Sequence, residues 1–165
     1  MLDEVEPRLK RGLPAGHIAF ASLASNRALV ALARGDLQSA LEHSNEAVAV
    51  ADAAAKTGRL GGDYLPLFLA RRSEVELRLG RPEQAEADAA RGLSILQASA
   101  QLGTFSSGLG RTYLSLGKAL QAEGKTEEAH TAFHSAAENL QDALGPDHPD
   151  THSALQLAQT NLSVQ

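Results

Sequence analysis

Two pairs of histidines stand four residues apart, His130 with His134 and His148 with His152. On a helix that spacing puts both imidazoles on one face, where two ring nitrogens can share a metal ion. The segment HTAFH differs from the HExxH of zinc peptidases, because Thr131 stands where the general-base glutamate belongs. No third ligand is adjacent. Asp147 and Asp150 flank His148 with the residue types of turns and caps. Other chemistry is no better supported. With no Cys, disulfides, thiolate metal sites and a Cys nucleophile are excluded. Ser22, Ser25 and Ser73 fall within helical patterns, and the paired carboxylates Glu127 and Glu128 open a helix, where they complement its dipole. The Gly-rich stretches GRLGGDY (58–64) and LGTFSSGLG (102–110) have the composition of phosphate cradles. Neither fits the GxxxxGK(S/T) pattern or follows a strand, so both read as turns. The residues therefore assign no enzyme activity, no cofactor and no metal.

Elements that could position such residues are helical throughout. Aromatic residues make up 4% of the chain and Trp is absent, so Ala and Leu must fill the core, as suits closely packed helices. A hydrophobic content of 43% marks a folded chain. The net charge of −5 argues against a nucleic-acid partner, which requires a basic surface. The N-terminal segment MLDEVEPRLKRG lacks an apolar signal core, and no run approaches the roughly 18 apolar residues of a membrane span. A soluble protein is expected, with no membrane partner. The missing Cys suits the reducing cytoplasm.

The chain repeats itself. ALARGDLQSAL, ELRLGRPEQAE and LQAEGKTEEAH share one punctuation: Gly35, Gly80 and Gly124 are each followed five residues later by Ala40, Ala85 and Ala129. Seven residues further on stand Ala47, Gly92 and Ala136, all small. The glycines lie 45 and 44 residues apart, and a second echo agrees: LPAGH ends at His17 and GPDH at His148, three such units apart. Recurrence in matching linkers favours a structural role for these two histidines. Each Gly ends a helix by taking the left-handed backbone. Asp36 is expected to cap the next helix, Pro82 to occupy a first helical position and Thr126 to cap a third.

The spacing predicts helices over 17–34, 37–57, 63–79, 82–101, 105–123, 126–144 and 149–163, with a short one at 3–11. Leu37, Ala40, Leu41, Ala47, Val48 and Ala51 form one apolar stripe. Ala129, Ala132, Phe133, Ala136, Ala137, Leu140 and Leu144 form another. No hairpin buries its stripe alone, so the units must stack.

Residues 110–141 resemble a tetratricopeptide repeat (TPR). Tyr113, Leu116, Gly117, Leu120, Gly124, Ala129, Phe133 and Ala136 fit that pattern. Elsewhere Arg27 and Arg72 replace the usual buried Leu, while Ser44 and Ala89 replace the aromatic. The long period and the segment LGPDHPDT are similar to the subtype of kinesin light chains and bacterial signalling proteins. The resemblance implies an all-α superhelix, a single domain over 1–165 with repeats at 17–57, 63–101 and 105–144 and a terminal helix at 149–163, forming a module of a larger protein. It also implies protein or peptide binding in a concave groove lined by the first helix of each repeat. First helices carry Arg71, Arg78, Arg111 and Lys118, whereas second helices are acidic. The expected groove residues are Ser22, Asn26, Arg71, Glu74, Arg78, Arg111, Ser115 and Lys118, with an acidic partner. The Lys/Asn clamp for chain-terminal carboxylates is not matched. Self-association through terminal helices carrying Leu155 and Leu162, giving a homodimer, stays open, as does a peptide or small-ligand sensor.

Overall fold

Each of the three repeated glycines closes its helix in the same way. In the computed structural model, Gly35, Gly80 and Gly124 have φ of 78°, 70° and 78°, a left-handed backbone that is strained with any side chain. The residue after each glycine donates its N–H back to the last turn: Asp36 to the Ala31 carbonyl at 3.0 Å, Arg81 to Glu76 at 2.9 Å and Lys125 to Leu120 at 2.9 Å. These are three copies of one Schellman closure. It reverses the chain within two residues and fixes how a hairpin folds back.

The structure describes residues 2–14, 16–58, 64–99 and 106–160. Eight helices run through them: α1 (Leu2–Gly12), α2 (Ile18–Ala33), α3 (Leu37–Lys56), α4 (Leu65–Arg78), α5 (Pro82–Ser99), α6 (Ser107–Ala122), α7 (Thr126–Leu144) and α8 (Pro149–Thr160). No strand occurs among the described residues. Helices α2/α3, α4/α5 and α6/α7 form the three hairpins, and each second helix also packs on the first helix of the next unit. The result is an all-α superhelix. Most expected helix ends agree within two residues. The turn readings at 59–63 and 102–105, and Leu162, lie outside the described residues.

The caps show how sequence sets these ends. The Asp36 side chain accepts the Ser39 N–H at 3.1 Å, and Pro82 opens α5 as expected. Thr126 does not cap α7. Lys125 holds the cap position without a side-chain bond, and Thr126 is already helical, because the Gly124 closure brings the chain into the helix one residue earlier. His17 and His148 play identical parts: Nδ1 of each accepts an N–H two residues ahead, from Ala19 at 3.2 Å and Asp150 at 3.1 Å. The echo between the linkers is an echo of helix starts.

Small residues carry the packing. Ala40, Ala85 and Ala129 are fully buried, as are Ala51, Ala89 and Ala136. One apolar cluster joins α6, α7 and α8 around Phe133 and Leu140, with Leu155 packed against it. Another joins α2, α3 and α4 around Phe68 and Leu69. Two arginines break the apolar pattern, and each finds a partner. Arg72 donates from Nε and Nη2 to both oxygens of Asp88 on α5, at 2.6 and 2.7 Å, and from Nη1 to Asn45 on α3 at 3.0 Å. Arg27 reaches Glu6 of α1 at 2.8 Å. Lys10, 2.6 Å away, and then Arg27 hold the Glu6 carboxyl well below the usual carboxylate range. Such pairs satisfy a charge that burial would otherwise make expensive.

Candidate functional site

Helices α2, α4 and α6 stand side by side, and the repeat period makes their outward residues equivalent in threes. Ser22, Leu67 and Arg111 form one rung, Asn26, Arg71 and Ser115 the next, and Leu29, Glu74 and Lys118 the third. A recess of about 370 Å³ runs across them, lined by Leu29, Leu32, Leu67, Ala70, Arg71, Glu74, Arg111, Leu114, Ser115, Lys118 and Asp150. Five of the eight expected groove residues therefore meet in one place: Arg71, Glu74, Arg111, Ser115 and Lys118.

The other three lie elsewhere. Ser22 and Asn26 line a separate recess of about 530 Å³, together with Val5 and Leu9 of α1 and Tyr64. There α1 lies along the first hairpin. Arg78 is exposed in the last turn of α4 and does not border the recess.

Within the recess the charges are unequally neutralised. Arg111 Nε donates to Asp150 at 2.7 Å, and Lys118 lies 3.7 Å from Glu74. Among the described residues, Arg71 has no carboxylate within ion-pair distance. Instead its Nη1 donates at 2.7 Å to the hydroxyl of Ser25, a residue only 2% exposed on α2. Burial, and then the neighbouring Arg111, lower the Arg71 pKa. A guanidinium stays charged regardless. Arg71 is thus a held, half-buried cation facing an open recess. Beside it, Leu29, Leu32 and Leu67 offer an apolar shelf, and Leu29 is 40% exposed.

Sequence reasoning missed this shelf and the support from Ser25. The shelf was available from the period, since Leu29 and Leu67 share rungs with the charges already singled out. Ser25 carried no signal, because a buried serine in a helical pattern has the same appearance as a packing residue. Arg27 and Arg72, also on first helices, point into pairs within the fold, away from the recess.

The histidine pairs separate in character. The rings of His130 and His134 meet edge to face at 4.7 Å, and Nε2 of His130 is buried without a partner. His148 caps α8, and His152 is exposed. Among the described residues no group of three His, Cys, Asp or Glu converges on a common point. No helix among them is long and apolar enough to cross a membrane.

The stacked hairpins, the shared Schellman turns and the row of first helices define a helical-repeat superhelix. Residues 109–150 match the tetratricopeptide repeat family, and the chain as a whole has the fold of a TPR domain. The chain is similar to the crystal structure of a Podosopora anserina protein described as a kinesin light chain with nearly identical TPR-like repeats. That match has 19% identity and a TM-score of 0.68, covering 97% of this chain and 74% of the other. It is also similar to the TPR domain of Arabidopsis OM64, at 17% identity and a TM-score of 0.59, covering 87% and 97%. The first TPR domain of human RPAP3 gives 14% identity and a TM-score of 0.59, covering 90% and 100%. No curated protein sequence matches significantly.

Proposed function

We propose that this chain is a non-catalytic scaffold that binds a protein or peptide segment in the recess of α2, α4 and α6, and that the segment brings a carboxylate to Arg71. One observation carries this reading. Of the three cations lining the recess, Arg71 is the one without a carboxylate partner among the described residues, and Ser25 holds it in place. A bound carboxylate would receive charge-assisted hydrogen bonds from a guanidinium whose side-chain freedom is already reduced. The leucine shelf supplies apolar contact beside it.

The test is fluorescence anisotropy with labelled peptides from an acidic library, each compared with its Glu→Gln and Asp→Asn version. Acidic peptides are expected to bind more tightly, and increasingly so as salt is lowered. Arg71→Ala should weaken them by about 10-fold or more, the size expected for a lost hydrogen bond to a charged group. Equal binding of acidic and neutralised peptides, or full affinity in a folded Arg71→Ala variant, would rule the reading out.

A further inference from the structure

The middle hairpin differs from its neighbours along the seam between its two helices. In the third repeat the seam positions are Leu116, Leu120 and Ala132, and in the second they are Arg72, Glu76 and Asp88. Glu76 is 8% exposed, Asp88 is 7% exposed, and Oε2 of Glu76 has no hydrogen-bond partner. Two carboxyl groups thus share a dry seam with one guanidinium, and that guanidinium is spent in a bidentate pair with Asp88. Within the seam the two carboxyls outnumber the one guanidinium, because the other nearby cation, Arg81, is exposed. In a poorly solvated site the cheapest remedy is a proton. Asp88 already holds the bidentate pair with Arg72, so the proton falls to Glu76.

We propose that Glu76 is a proton-binding site that sets how tightly α4 is held against α5, so that proton uptake tightens the middle of the superhelix. The surrounding charges are consistent with this. Asp88 comes from α5, Arg72 from α4 itself and Arg81 from the turn between them, and these charged groups act on Glu76. From α3 comes the neutral amide of Asn45, bonded to Arg72. Burial and then Asp88 push the Glu76 carboxyl up to about 7, against the pull of Arg72 and Arg81. Helix α4 also carries Arg71 and Glu74, so a change in its seat reaches the recess.

The sign follows from linkage. A carboxyl raised in the folded state binds its proton more tightly there than in the unfolded chain. The stability it contributes is complete below the unfolded value and is lost as pH rises through about 7. Wild type is expected to melt about 5 °C lower at pH 8 than at pH 5.5 from this source. Glu76→Gln should lack that component and, at pH 8, should melt above wild type. Carbon-detected NMR of the wild-type side chain provides a reading that needs no variant. The Glu76 carboxyl signal should titrate with a midpoint near 7, and the amides of Asn45 and Arg71 should move with it. A midpoint near the ordinary value of about 4.3 would overturn the proposal. So would a neutral titration that left those amides unmoved, or equal pH slopes in wild type and a folded Glu76→Gln variant.

Discussion

Replacing Gly117 with serine is expected to cost about 2 kcal/mol, although serine is the better helix former. The reason is Phe133. A Cβ on Gly117 would lie 2.6 Å from two atoms of the Phe133 ring, and Phe133 is fully buried. At that distance the ring or the backbone must shift, and the ring has no exposed side to shift toward. Phe133→Ala should cost about 4 kcal/mol by opening a cavity. The informative variant joins the two. At the matching positions the second repeat has Ser73 with Ala89 and the first has Ala28 with Ser44, so volume is exchanged between the helices from unit to unit. Gly117→Ser/Phe133→Ala transplants the second repeat's pair into the third. It should be less destabilised than Phe133→Ala alone, giving a coupling of about 2 kcal/mol or more between the sites. Urea unfolding of the four proteins measures this. If the two costs simply add, the compensation is wrong and the glycine is tolerated for some other reason.

That pair also shows why the fold was legible. Gly35, Gly80 and Gly124 with their following alanines report on backbone sign and on close approach, and both are local demands that few residues meet. Helix ends followed at once. Thr126 was misplaced because a cap position depends on the exact closure of the preceding helix, and a one-residue difference leaves residue types unchanged. The groove was only half legible. The period put Arg71, Arg111, Ser115 and Lys118 on α4 and α6, where they do converge. It could not show that α1 lies over Ser22 and Asn26, since α1 lies outside the repeated units and packs more sparsely than the hairpins do. Nor does a list of charges show direction. Arg71 and Arg72 are neighbours in sequence, yet one faces the recess and the other the hairpin seam.

The seam leads to the second large effect. Asp88→Ala should destabilise the chain by about 1.5–3 kcal/mol, because it removes both charge-assisted bonds from Arg72 and leaves Asn45 as its hydrogen-bond partner, with Glu76 as the carboxyl left to balance its charge. The same principle predicts the opposite sign for a concerted change. Arg72→Leu/Glu76→Leu/Asp88→Ala gives the middle hairpin the seam of the third repeat, where Leu120 and Ala132 are buried and Leu116 packs against the same apolar cluster. Well-packed apolar groups often match or exceed a buried charge network of similar volume. The triple variant is therefore expected to be at least as stable as wild type at neutral pH, and its melting temperature should lose the pH-dependent component assigned to Glu76. Chemical denaturation at pH 5.5 and pH 8 tests both halves at once. A triple variant as damaged as Asp88→Ala would mean that the polar seam fits a space that leucine cannot fill, and that stability comes from the pairing itself. A triple variant that is stable and insensitive to pH would mean that the charges are not needed to hold the hairpin, and that what they add is its response to protons.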